Sequence, residues 1–107
     1  MPKLTTVFWR DIPAQVIAKQ GRKAAKVQLS LRFHEAIDRA AMRAGKGGSD
    51  AYLEEWRRET ATCGSDMEAA VNARAAELEA AYSDDELHAM ARNKGMTLEQ
   101  NETGDDD

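Results

Sequence analysis

The chain has 107 residues, 42% of them apolar and 32% charged, with a formal net charge of −4, which is the size and composition of one ordinary domain. It contains no apolar run long enough to cross a membrane, and its N-terminus lacks the apolar core of a signal peptide. The single cysteine, Cys63, cannot pair within the chain and is too little for a zinc site, so a reducing cytoplasm is the expected compartment.

The N-terminal residues predict a β-strand. β-branched and aromatic side chains alternate with a period of two over residues 5–10, as in a half-buried strand. Asp11-Ile12-Pro13 is expected to end this strand, because Pro13 has no amide hydrogen and restricts the residue before it.

Two further strands are predicted by the same alternation. The first covers residues 15–19 and the second covers residues 25–29, with a turn at 20–23 between them. Gly21 favours that turn because glycine adopts a positive φ at little cost. A helix beginning near Arg22 is the competing interpretation, and the period of two favours the strand.

The rest of the chain predicts helices. Ser30 is a suitable N-cap for a helix over residues 31–44, which Gly45 ends. Ser65 and Glu68 fit a capping box that opens a helix to residue 82. Ser83 and Glu86 fit a second capping box, which opens a short helix running to about residue 94.

One segment remains ambiguous. Residues 50–62 fit a helical face and a strand face almost equally well, with a slight preference for a fourth strand. The complete pattern predicts an α+β fold, in which a small three- or four-stranded, mainly antiparallel sheet is packed on one face by two to three helices. Phe33, Ile37, Val71 and Leu78 are expected to be buried. Residues 1–95 should form a single domain and residues 96–107 a disordered acidic tail.

Two segments are candidates for a binding surface. The first is an aromatic residue and an ion pair beside a rigid turn, formed by Trp9, Arg10, Asp11 and Pro13. Its purely structural interpretation is a tryptophan in the core and an ion pair that fixes the turn.

The second segment is the basic hairpin, which consists of Lys19, Arg22, Lys23 and Lys26. Residues 1–45 carry a net +6 and residues 46–107 a net −10, an asymmetry that can indicate an anionic partner. The structural interpretation of the hairpin is a solvated turn that protects a sheet edge. If the segment is functional, we expect Arg10 and the hairpin bases to converge on one surface.

The sequence favours a non-enzymatic accessory module that binds another protein through the end of the fold at residues 9–13. An acidic partner is expected if the basic hairpin is functional. No phosphate loop, dinucleotide fingerprint, zinc pattern or nucleophile elbow is present, so no cofactor, metal or catalytic residue is predicted. Aromatic residues are not interleaved with the bases of the hairpin, which argues against nucleic acid as the partner.

The segments VFWRDIPAQVIAK, LSLRFHEAIDRAAMRAG and AYLEEWRR give the chain a family resemblance. They resemble a small bacterial family described as virulence factor, related to a domain of conserved virulence factor proteins, over roughly residues 4–82. The resemblance supplies no catalytic residues. It implies an accessory role near folate- and corrinoid-linked one-carbon metabolism, so the alternative function is a small enzyme or enzyme subunit of that metabolism.

Overall fold

The computed structural model describes residues 1–45 and 48–97, except for the side chain of Ser49. The elements in chain order are β1 (Lys3–Trp9), β2 (Ile12–Gln20), β3 (Lys23–Gln28), α1 (Leu31–Arg43), α2 (Ser49–Glu54), β4 (Trp56–Thr62), α3 (Met67–Ala81) and α4 (Asp84–Arg92). The expected α+β fold is confirmed.

The sheet has the strand order β3-β2-β1-β4, and every neighbouring pair is antiparallel. The turn between β2 and β3 contains Gly21 with φ +61°, as predicted. The prediction that Pro13 lies outside a strand is wrong, because the turn consists of Arg10 and Asp11 and β2 already begins at Ile12. Proline is tolerated there because the register shifts between Val7 and Phe8, which places Pro13 next to a bulge.

The segment over residues 50–62 is a helix followed by a strand. Helix α2 ends at Glu54, and β4 begins two residues later at Trp56 and pairs with β1 along its length. The leaning toward a strand is therefore correct only for the second half. The aromatic residues that fit both periodicities, Tyr52 and Trp56, lie on either side of the change.

The helix starts agree with the sequence except at one position. Ser83 forms the predicted capping box with Glu86, with both hydrogen bonds present. At α3 the N-cap is Asp66 rather than Ser65, and its carboxylate accepts a hydrogen bond from the Ala69 amide. Because Asp and Ser cap equally well, the sequence could not choose between adjacent candidates.

The core lies between the sheet and the helices. Helix α3 contacts β2 and β3, while α1 contacts β2 and packs beside α4. All four predicted core side chains are buried, with relative exposures of 0–4%. Those residues are Phe33, Ile37, Val71 and Leu78. Burial of each contributes roughly 1.5–3 kcal/mol to folding.

The C-terminal boundary of the folded part lies beyond α4. Met96 and Thr97 are half-buried, and the Thr97 amide donates a hydrogen bond of 2.8 Å to Asp11 Oδ2. These two residues belong to the segment predicted as a tail. The remainder of that predicted tail, residues 98–107, lies outside the described residues.

Candidate binding surfaces

Trp9, the aromatic member of the first predicted surface, is a core residue. Its relative exposure is 0%, and its indole Nε1 donates a hydrogen bond of 2.9 Å to the Tyr52 carbonyl. The rings of Trp9 and Tyr52 stack with centroids 5.8 Å apart. Pro13 is also fully buried. Neither residue offers a surface to a partner, which corrects the prediction for these two positions.

Arg10 connects three parts of the fold. Its Nε donates to Glu55 Oε1 at 3.1 Å, and its guanidinium donates to the Lys94 carbonyl at 2.9 Å. The guanidinium also lies 5.3 Å from the centre of the Trp9 ring. The side chain is 17% exposed. Arg10 therefore joins the β1–β2 turn to the residues before β4 and after α4.

Asp11 has structural partners on both carboxylate oxygens. Oδ1 accepts a hydrogen bond from Arg57, and Oδ2 accepts one from the Thr97 amide. Arg57 also bonds Glu59 at 2.6 Å and lies 4.3 Å from the centre of the Phe8 ring. The predicted Arg10–Asp11 pair does not form, because each of the two residues pairs with a residue from β4 or its approach.

The predicted basic hairpin lies at the opposite end of the sheet from Arg10. Lys19, Arg22, Lys23 and Lys26 are all exposed. Strand β2 has nine residues, so roughly 25–30 Å separate its two ends at about 3.3 Å per residue. The expected convergence of Arg10 with the hairpin does not occur, because antiparallel pairing places the two turns at opposite ends of β2.

The register places two of the hairpin bases in a larger basic patch. Lys3 on β1 is directly opposite Lys19 on β2. Ile17 lies two residues before Lys19 and therefore on the same side of β2. Lys26 on β3 is opposite Ile17, so it lies on that side too. Arg58 lies on that side as well, opposite Val7. We call Lys3, Lys19, Lys26 and Arg58 the basic sheet face. All four side chains are exposed.

The basic sheet face is the side of the sheet away from α3. On the α3 side, Val16 and Ala18 are buried in the same cluster as Val71, and Arg74 donates to the Thr6 hydroxyl. Glu59 is the single acidic residue in the four strands. It is opposite Thr6 and therefore on the α3 side, where it pairs with Arg57.

Lys3 and Arg58 were not predicted as site residues. Lys3 stands near the N-terminus as an isolated base, and Arg58 follows another arginine in the segment that was ambiguous between helix and strand. The signal that could have found them is the period of two, which puts Lys3 on the same side as Thr5 and Arg58 on the same side as Thr60. This period places the two residues on one surface only once β1 and β4 are known to be neighbouring strands.

A second polar cluster fixes the start of α1. Ser30 donates to the Glu79 carboxylate through its amide at 2.7 Å and through its hydroxyl at 2.9 Å. Arg32 donates to the Glu79 and Tyr82 carbonyls and pairs with Glu79 and Asp84. Partial burial raises the pKa of Glu79, but the hydrogen bonds from Ser30 and Arg32 outweigh burial, so that the pKa lies below its ordinary value.

The pKa values of Tyr52 and Tyr82 are shifted upward, opposite to that of Glu79. Burial raises the pKa of Tyr82, and the nearby Asp11 carboxylate raises it further. Burial also raises the pKa of Tyr52, with a further contribution from Asp38. Both hydroxyls therefore remain protonated at neutral pH and carry no charge.

The remaining chemical candidates are dispersed. Within residues 1–45 and 48–97 no group of three or more His, Cys, Asp or Glu side chains converges as a metal site. His34 Nε2 is buried without a hydrogen-bond partner among those residues, whereas His88 is exposed on α4. In the described part of the chain, no helix combines the length and apolar character needed to cross a membrane.

Fold and surface together define a small α+β domain, with α3 packed on one side of an antiparallel sheet and the basic sheet face on the other. The chain belongs to the virulence factor family, whose family model matches residues 7–91. The resemblance seen in the sequence is thereby confirmed. No curated protein and no solved structure matches the chain.

Proposed function

We propose that this member of the virulence factor family is a non-enzymatic interaction module, which binds an acidic segment of another protein across its basic sheet face. The observation that carries the proposal is the pairing of Lys3 directly opposite Lys19. Like charges in this arrangement destabilise a sheet. Lys26 lies diagonally across from Lys19 and adds a third positive charge.

The charge of the face is not balanced by its own surroundings. The strands contribute no acidic residue to this side of the sheet, although the chain as a whole has 19 acidic residues against 15 basic ones. Among residues 1–45 and 48–97, none of the four basic side chains forms an ion pair. An acidic partner would supply the missing countercharge, and electrostatic attraction would accelerate its association.

The side chains between the bases favour a protein partner over a single-stranded nucleic acid. Thr5, Ile17 and Thr60 form the row that lies between Lys3 and Arg58. A surface that binds single strands needs aromatic rings on which bases can stack. Trp9, at the end of β1, is buried, and its partner Trp56 on β4 is half-buried with its ring against Tyr52.

The test compares two triple variants with the same change in charge. In the first, Lys3, Lys19 and Lys26 become Gln; in the second, Arg39, Arg43 and Arg92 on the helices become Gln. Tagged protein captures partners from lysate of the source cell at low and high salt, with a glutamate-rich peptide as a defined second ligand.

The first variant should lose capture of both ligands and their salt dependence, while its thermal melt stays the same or rises slightly because exposed charges contribute little to stability. The second variant should capture both ligands as the wild type does, because its three arginines lie on α1 and α4 and not on the basic sheet face. Equal capture by the two variants would refute the proposal. Turnover by the isolated chain in one-carbon assays would instead support the alternative, a small enzyme or enzyme subunit.

A further inference from the structure

A separate basic site lies between α1 and α4. The two helices run side by side, and a depression of about 480 Å³ opens between their C-terminal halves. Three arginines line it, Arg39 and Arg43 from α1 and Arg92 from α4. We call this depression the arginine groove. Its volume falls within the roughly 300–1,000 Å³ that is typical of small-molecule sites.

The three groove arginines differ from the arginines that have partners elsewhere in the fold. Arg10, Arg32, Arg57 and Arg74 each form an ion pair with a carboxylate. Among residues 1–45 and 48–97, none of the three groove arginines does so. Glu35 precedes Arg39 by one helical turn without pairing with it, and Asp84 pairs with Arg32 instead.

Helix dipoles account for only part of this charge. Each helix carries roughly half a negative charge at its C-terminus, so two helices together offset about one of the three positive charges. About two of the three positive charges remain after the helix dipoles are subtracted. A phosphate monoester carries roughly −1.5 to −2 at neutral pH, which matches that excess.

The remaining groove residues indicate what the anion is attached to. Met42 is 74% exposed, and it lies in the groove together with Ala91 and His88. An exposed methionine among arginines provides an apolar contact that inorganic phosphate cannot use. Guanidinium groups donate paired hydrogen bonds in the planar geometry that phosphate oxygens accept. We propose that the arginine groove binds a small organic phosphate, with its apolar part against Met42.

The experiment uses phenyl phosphate as the ligand, and the backbone amide resonances of the whole chain as the readout. Inorganic phosphate tests the contribution of the anion alone. Benzenesulfonate has the same ring with a single charge and tests whether any aromatic anion suffices. Saturable shifts by phenyl phosphate should be confined to the C-terminal halves of α1 and α4, and both control ligands should bind more weakly.

Changing Arg39, Arg43 or Arg92 to Gln should weaken phenyl phosphate binding by roughly tenfold each, because each loses charged hydrogen bonds. Met42→Ala should weaken phenyl phosphate binding and leave the affinity for inorganic phosphate unchanged. Arg39→Lys keeps the charge but loses the planar donors, so it should bind phenyl phosphate more weakly than the wild type does. This variant replaces Arg39→Gln if that substitution disturbs folding.

The variant with Lys3, Lys19 and Lys26 changed to Gln should bind phenyl phosphate as the wild type does, which separates this site from the basic sheet face. Absence of saturable binding would overturn the proposal. So would equal affinity for benzenesulfonate, or amide shifts centred on the sheet.

Discussion

Gly95 lies so close to Trp9 that a β-carbon at position 95 would be 2.9 Å from Cζ3 of the indole ring. The same glycine has φ +89°, a conformation that other residues rarely adopt. Its carbonyl accepts a hydrogen bond of 2.9 Å from the Asp11 amide. The end of α4 is therefore fixed to the β1–β2 turn by contacts that only glycine allows.

Gly95→Ala should destabilise the fold strongly. The left-handed conformation costs an alanine roughly 1–2 kcal/mol, and the overpacking against Trp9 adds about 1–3 kcal/mol. Chemical denaturation measures the loss. Gly21→Ala is the matched control, because Gly21 has φ +61° and a β-carbon at position 21 would meet no atom within 4 Å. If both substitutions cost the same, the contact with Trp9 contributes nothing.

Ile37→Ala tests the packing of α1. Ile37 is 2% exposed in the core, so its truncation should lower the free energy of unfolding by about 2–5 kcal/mol. Met42→Ala on the same helix removes a side chain that is 74% exposed and should change stability by less than about 0.5 kcal/mol. Equal effects in urea denaturation would contradict the assignment of the buried face.

Glu79 should make the free energy of unfolding depend on pH in the acidic range. Burial raises its folded pKa, but the bonds from Ser30 and Arg32 outweigh burial and bring the pKa below the reference value of 4.5. A carboxylate with a lowered folded pKa stabilises the fold above the unfolded value, and this stability is lost as the pH falls through the folded pKa. Wild type should therefore exceed Glu79→Gln in stability at neutral pH, and the two should converge in acid.

Denaturation curves at a series of pH values measure this difference. Glu77→Gln is the control, because Glu77 is 69% exposed and pairs with Arg74 within its own helix. A gap between wild type and Glu79→Gln that stays constant with pH would show that the carboxylate is not preferentially stabilised in its charged form.

Most features that depend on neighbouring residues could be predicted from the sequence. The capping box at Ser83 and the turn at Gly21 involve residues only a few positions apart, so the sequence shows them directly. The N-cap of α3 is predicted at Ser65 and lies at Asp66. The prediction misses by one residue because adjacent polar side chains can cap equally well.

The binding surface required information that no local pattern contains. Trp9 is buried because Tyr52 and Gly95, distant in sequence, cover its ring. Lys3 and Arg58 join the basic sheet face only through the pairing of β1 with β2 and β4. The arginine groove likewise depends on the packing of α1 against α4, which periodicity within either helix does not determine.

Substitutions of Arg10 distinguish a structural role from a binding role at the β1–β2 turn. Its backbone has φ +54°, and its side chain bonds Glu55 and the Lys94 carbonyl. Arg10→Ala should lose those charged hydrogen bonds, at a cost of roughly 1.5–3 kcal/mol, and it keeps the unfavourable φ. Arg10→Gly loses the same bonds but relieves the conformation, so it should be about 1 kcal/mol more stable than Arg10→Ala. If the free energy of unfolding falls from wild type to Arg10→Gly to Arg10→Ala while partner capture is unchanged, Arg10 is a structural residue. If stability is unchanged while partner capture is reduced, Arg10 belongs to a binding surface instead.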